Sequence, residues 1–311
     1  MNVQQIDYVI AVSKTGSFGL AAKKCFVTQS TLSTMVARFE SEIGITIFDR
    51  KTKPITITRE GERIIHQLKV ISKEINNLGE VAKELKGEIS GDLKIGAIPT
   101  VAPYLFPVFL NEFISKFPGI NFEISEITTA KIIESILSRE LDIGIVSIPL
   151  KHSELVELPL YHEPFYLFDK AKTNNKIKSS ISKIDYSRLW LLQEGHCMRN
   201  QVEKICDFSK RRAISGNLIY KSGTIDTLMK FVNNNNGVTL LPHLVAISLS
   251  KEEQRHINGF KSPIPVRLIG LLVHKHFVKK NILEQLQLTI QEKIIPLIGK
   301  GDFEQNVISP L

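Results

Sequence analysis

Cysteine is scarce in this chain, with three among 311 residues, and tryptophan occurs once. An odd, small number of thiols does not make a disulfide framework. No CxxC pair and no His/Cys cluster at zinc spacing is present, so neither a metal nor a bound cofactor is expected. No apolar run approaches the ~20 residues that cross a bilayer. The opening stretch MNVQQIDYVIAVSK lacks the basic and small-residue features of a signal peptide. These absences predict a cytoplasmic protein with reduced thiols and no membrane partner. Acidic charge is also in deficit: 40 Lys and Arg against 32 Asp and Glu leave +8, which favours a polyanionic partner.

The length allows two or three domains. In the first, SFGLAAKKCFVTQSTLSTMVARFESEIG has an N-cap candidate at Ser17, a break near Phe26 and Val27, and a second start at Thr28. Leu32, Val36, Phe39 and Ile43 then share one helical face. Two short helices joined by a tight turn place the second in a DNA major groove. Gln29, Ser30, Thr31, Ser33, Thr34 and Arg38 are the candidate DNA contacts on it. FDRKTKPITIT alternates basic and β-branched residues about a proline, as a two-stranded wing does, with Arg50, Lys51 and Lys53 at its tip against phosphates.

Beyond the wing, Ile64, Leu68, Ile71, Ile75, Leu78, Ala82 and Leu85 recur at alternating steps of four and three. Such a stripe on an isolated helix needs a partner helix, and the expected partner is a second copy of the chain. GEISGD ends that helix. Strand-like LKIGAI, INFEIS, LDIGIVSI, PFYLF, LWLL, NLIY, GVTLL and RLIGLLV then alternate with helix-like segments, predicting α/β layers on a mainly parallel sheet. Ligands of such sheets bind where strands end and helices begin. Thr100, Thr129 and Thr224 occupy such places, as cleft-lining hydroxyls or simple N-caps.

The first 65 residues resemble the LysR-type transcriptional regulators, through Ala21-Ala22, Thr28-Gln29-Ser30-Thr31-Leu32-Ser33, Glu40, Ile43-Gly44, Ile47-Phe48, Arg50, Thr58 and Gly61. The resemblance implies an α+β multi-domain chain. Its parts are a winged helix-turn-helix over 1–58, a dimerising linker helix over 59–87, and a two-lobed periplasmic-binding-protein-like regulatory domain over 88–311. Lobe I comprises about 88–162 and 267–311, and lobe II about 163–266. The implied partners are promoter double-stranded DNA, a second copy in a homodimer that pairs into a tetramer, and RNA polymerase.

Within that family, IGAIPTVAPYLFP, LPLYHEP, EGHCMRNQ and GVTLLP are similar to segments of the hydrogen-peroxide-sensing members, as is the C-x8-C spacing of Cys197 and Cys206. By that resemblance Cys197 is the peroxide-reactive thiol, Cys206 resolves it as a reversible disulfide, and Thr100 and Thr129 hold the peroxide. Ser125, and His274 with Lys275, stand where those members have a His and an Arg-Pro pair.

A thiol reacts with peroxide as its thiolate. A helix beginning at Cys197 would favour the anion through its N-terminal amides, with His196 and Arg199 adding positive charge, so a lowered pKa is expected. If 197–206 is helical, nine steps separate the two Cα atoms by about 13 Å, against about 5.5 Å in a disulfide, so bond formation requires unwinding. Two alternatives remain: a regulator responding to a small organic effector held between the lobes by Thr100, Thr129 and Thr224, and a thiol peroxidase, which the helix-turn-helix argues against.

Overall fold

The computed structural model describes residues 1–87, 89–173, 178–193, 195–206, 222–299 and 306–311. It forms two compact units, Met1–Glu88 and Ile89–Leu311.

In the first unit, α1 (Val3–Thr15) opens on an Asn2–Gln5 capping box and closes on left-handed Gly16. Helix α2 (Phe18–Lys24) is capped by Ser17, and α3 (Gln29–Ile43) by Thr28, whose side chain accepts from the Thr31 amide. Leu32, Val36 and Phe39 of α3 are buried with Val9, Val12, Ala21, Ile47 and Phe48. Strands β1 (Phe48–Asp49) and β2 (Thr56–Ile57) pair antiparallel as the wing. Helix α4 (Arg59–Leu85) leaves the wing at Gly61, where a Cβ would lie 2.5 Å from the Ile47 carbonyl oxygen. Only a glycine lets the backbones approach so closely.

The apolar stripe of α4 divides. Ile64, Leu68 and Ile71 pack on this unit's own core, with Leu68 only 3% exposed. This corrects the assignment of the whole stripe to a partner helix: α1 covers its first turns. Further along, Ile75 is half-buried while Leu78 and Leu85 are exposed.

The second unit carries β3 (Gly91–Ala97), α5 (Ala102–Lys116), β4 (Ile120–Glu126), α6 (Thr129–Leu137), β5 (Ile143–Ile148) and β6 (Leu155–Asp169). After these come α7 (Cys197–Cys206), α8 (Ile225–Asn234), β7 (Val238–Pro242), α9 (His243–Ser248), α10 (Lys251–Gln254), β8 (Ile257–Asn258), β9 (Val266–His274) and α11 (Lys280–Ile298). The sheet order is β4-β3-β5-β9-β6-β7, with β8 on β6. Among the named strands of this unit, β3 pairs parallel with β4 and β5, and the pairs involving β9 and β6 are antiparallel. The expectation of a mainly parallel sheet is thereby corrected to a mixed one.

The reason is the fifteen-residue strand β6, which runs continuously through two hydrophobic clusters. Leu160 and Tyr161 belong to one, with β3, β5, β9, α5 and α11; Phe165, Leu167 and Phe168 belong to the other, with α8 and β7. LWLL forms isolated bridges from Leu189 to Val238 and from Leu192 to Ser222 rather than a named strand. NLIY lies outside the described residues.

Candidate functional site

Cys197 begins α7 and belongs to the first hydrophobic cluster, the one that contains β3, β5 and β9. Cys206 ends the same ten-residue helix and belongs to the second cluster. Both are buried, and neither is in a disulfide. One helix therefore carries its two sulfurs into the cores of the two lobes. With nine residue steps between them, about 13 Å along a helix axis, no bond can close while the helix stands.

Three side chains fix α7 in place through four hydrogen bonds. The buried Gln201 amide donates to Ser147 Oγ on β5 at 3.0 Å and to the Ile308 carbonyl at 2.7 Å. Asn200 donates to the Pro310 carbonyl, and Lys204 to that of Ser309. The C-terminal residues are themselves tied back, since the Ile308 amide donates to the Val266 carbonyl at 2.7 Å.

Beneath Cys197 lies a buried ion pair that sequence reading did not single out. Arg267 on β9 is 1% exposed and Glu163 on β6 is fully buried, with Arg267 Nε and Nη2 at 2.9 and 2.8 Å from Glu163 Oε2. Glu163 Oε1 accepts from the Leu244 amide, and the other face of the guanidinium donates to Thr100 Oγ1 and to the Thr100 carbonyl. The signal was available in RLIGLLV and LPLYHEP: a charged residue inside an apolar strand run stays buried only when paired.

Three buried oxygens in this region have no hydrogen-bond partner: Thr129 Oγ1, Tyr161 Oη and Gln201 Oε1. Gln201 stands one helical turn beyond Cys197, and Tyr161 and Cys197 share Arg267 as a charged neighbour.

The thiol itself corrects the expectation of a lowered pKa. Burial is the largest influence and raises the Cys197 pKa above its ordinary value. The Arg267 charge, the Thr129 hydroxyl and the helix-start amides of Cys197 and Met198 oppose it. Thr129 lacks a hydrogen bond of ordinary geometry yet faces the sulfur closely enough to stabilise its anion.

His196 and Arg199 do not supply the charge expected of them. His196 is buried, and burial lowers its pKa and favours the neutral ring. Arg199 spends its guanidinium on Glu203 at 2.8 Å and on the Leu192 carbonyl at 3.0 Å. Thr224 is also no part of this cluster: it is the exposed N-cap of α8, accepting from the Thr227 amide.

In the first unit, Gln29, Ser30, Thr31, Thr34 and Arg38 are exposed on α3, and Ser33 is half-buried. Lys51 and Lys53 are exposed on the wing turn. Arg50 is held in place instead, its guanidinium 2.9 Å from Glu40 Oε2, 3.3 Å from Ser33 Oγ and 4.9 Å above the Phe18 ring. Glu40 Oε1 accepts from the Ile47 and Phe48 amides, so this pair fixes the wing to α3. Among the described residues no group of three or more His, Cys, Asp or Glu could hold a metal ion, and no helix is long and apolar enough to cross a membrane.

Comparison with known proteins agrees with this architecture. Residues 3–62 match the family described as the bacterial regulatory helix-turn-helix protein of the lysR family, and 86–289 match the LysR substrate binding domain. The hydrogen peroxide-inducible genes activator of Pectobacterium carotovorum subsp. carotovorum is 28% identical, over 94% of this chain and 96% of its own. The HTH-type transcriptional regulator EstR of Acinetobacter baylyi is 30% identical over 78% of this chain and 80% of its own. A structure of full-length OxyR from Pseudomonas aeruginosa carrying a cysteine-to-aspartate substitution superposes with a TM-score of 0.73. It has 27% identity and covers 94% of this chain and 98% of that one. With both matched segments together spanning most of its length, the chain belongs to the LysR family of helix-turn-helix transcription regulators.

Proposed function

We propose that this chain is a hydrogen-peroxide-responsive transcription regulator, acting in the cytoplasm and not as an enzyme. The observation that carries the reading is one helix with a thiol in each lobe's core, the first beside an arginine and an unpartnered buried hydroxyl. The similarity to a hydrogen peroxide-inducible genes activator supports it.

In the first step the Cys197 thiolate attacks one peroxide oxygen. An S–O bond forms, the O–O bond breaks, and the departing hydroxide takes a proton to leave as water. Sulfur loses two electrons and becomes a sulfenic acid. Arg267 and the Thr129 hydroxyl stabilise the attacking anion, and Thr100 is held toward the site by two Arg267 hydrogen bonds. Once α7 unwinds, the Cys206 thiolate attacks the oxidised sulfur. The S–S bond replaces S–O, and the departing hydroxide takes up the proton that the Cys206 thiol gave up and leaves as water. The new cross-link holds the regulatory domain in a second arrangement.

The exposed face of α3 and the wing lysines suit promoter double-stranded DNA, and the exposed Leu78 and Leu85 suit a homodimer, pairing into a tetramer that engages RNA polymerase. Peroxide treatment of the full-length chain, followed by disulfide mapping and DNA footprinting on one sample, tests the reading. The wild type forms a Cys197–Cys206 bond and shifts its footprint. If Cys197→Ser shifts the footprint equally, the sensing role is wrong.

A further inference from the structure

Phe26 is the most exposed large apolar side chain among the described residues, at 95%. Its backbone is equally out of place, at φ +57°. The helix end explains the backbone. The Phe26 amide donates to the Lys23 carbonyl and the Val27 amide to the Ala22 carbonyl, a paired closure that forces the residue after Cys25 into the left-handed region. Glycine suits that position and asparagine tolerates it, whereas a bulky aromatic there is an outlier. The apolar contact that normally accompanies this closure comes from Val27, which packs on the core. Folding of the unit therefore gives no reason for an aromatic at 26, and two costs are carried at one residue.

Its place suggests what offsets them. Phe26 lies two residues before Thr28, the N-cap of α3, and the first side chains of that helix, Gln29, Ser30 and Thr31, are exposed. Lys23 and Lys24 are exposed on the other side. From Ser17 to Phe39 the chain has no acidic residue. The ring therefore stands on a surface whose charge suits a polyanion, at the end of the helix that faces base edges. A duplex offers an apolar group on those edges at the C5-methyl of thymine, and phenylalanine is among the side chains that read it.

We propose that Phe26 is a specificity-determining contact to operator DNA, its ring packed against a thymine methyl beside the start of α3. The proposal rests on the DNA-binding reading of the helix-turn-helix, and the test separates the two. A duplex is selected from a randomised pool by the full-length wild-type chain. It is then remade with uracil in place of each thymine in turn, which removes one methyl. Binding of the wild type, Phe26→Asn and Phe26→Gly is measured on every duplex, with melting temperatures alongside.

Both variants relieve the backbone, so they melt at or above the wild-type temperature while binding the selected duplex more weakly. One uracil position weakens the wild type about fourfold, the worth of one buried methyl, and leaves both variants unchanged. If no thymine behaves this way, or both variants bind as the wild type does, the contact does not exist and the proposal is overturned. If both variants melt lower, Phe26 is a folding residue and the proposal is overturned. If the wild type enriches no duplex, the DNA-binding reading falls, and this proposal with it.

Discussion

Replacing Arg267 by methionine removes a positive charge that acts on Cys197 and leaves Glu163 buried without its partner. Breaking a buried pair from one side costs about 3–5 kcal/mol, because the remaining charge is uncompensated. Thr100 also loses both donors to its hydroxyl and carbonyl oxygens, at about 1–3 kcal/mol for each buried acceptor left unsatisfied. The second loss persists in Arg267→Met/Glu163→Gln, but the first does not, since a neutral amide replaces the carboxylate and its oxygen still accepts from the Leu244 amide. The new amide NH2 has lost the Arg267 side of the pair and is left unsatisfied, at about 1–3 kcal/mol, so the double variant should recover about 2 kcal/mol of what the single variant loses. For a unit the size of Ile89–Leu311, that is about 4–8 °C in melting temperature. Thermal unfolding of the reduced proteins by circular dichroism reads the difference. Both variants should also alkylate at Cys197 more slowly than the wild type at neutral pH, because the thiolate has lost its cation. A double variant that melts no higher than the single one refutes the reasoning about the pair, and unchanged alkylation refutes its role at the sulfur.

The raised Cys197 pKa sets a pH dependence. Because the folded value lies above the unfolded one, stability is full below the unfolded value, about 8.5, and is lost as pH rises through the folded value. Iodoacetamide trapping of the native protein should reach half its maximal rate at a higher pH than the unfolded chain does; coincident midpoints would contradict the burial. On α4, Leu68→Ala should cost about 2–5 kcal/mol in the first unit. Leu85→Ala should change that unit's stability by less than about 0.5 kcal/mol while weakening self-association in sedimentation. Equal effects on melting would show that both residues serve one core. Glu112 joins α5 to α11 through Lys293 and also pairs with Lys116 one turn along its own helix; the two ammonium groups hold its carboxyl down at about 2. Its contribution is present above the ordinary carboxylate range and lost as pH falls toward that value; a carbon-detected NMR titration giving an ordinary carboxylate pKa would dismiss the pairing.

Much of the fold could be read from local pattern. The helix-turn-helix announces itself through caps at Ser17 and Thr28 and a clear apolar face at Leu32, Val36 and Phe39. Strand direction was not readable, because each run specifies a local element. Whether PFYLF ends one lobe or continues a longer strand depends on its partners β9 and β7. The stripe on α4 has one period along its length, but the surface it meets changes partway. At the site, Cys197 and Cys206 were visible by type and spacing. Its electrostatics were not, because neighbours in sequence need not be neighbours in space. Arg199, two residues along the helix, is spent on Glu203 and the Leu192 carbonyl, and burial favours the neutral ring of His196, so sequence adjacency supplies no charge to the sulfur. The cation that does, Arg267, is seventy positions away on β9.

The division of the two sulfurs between separate cores bears on how a signal would end. Joining them means extracting at least one from its packed surroundings and giving up the anchorage of α7 to Ser147 and the C-terminal residues. Whatever free energy that forfeits raises the reduction potential of the couple, by about 30 mV for each 1.4 kcal/mol. Refolding of the dithiol helix would thus pull the bond toward reduction, so that cellular thiol reductants could reset the protein once the oxidant is gone.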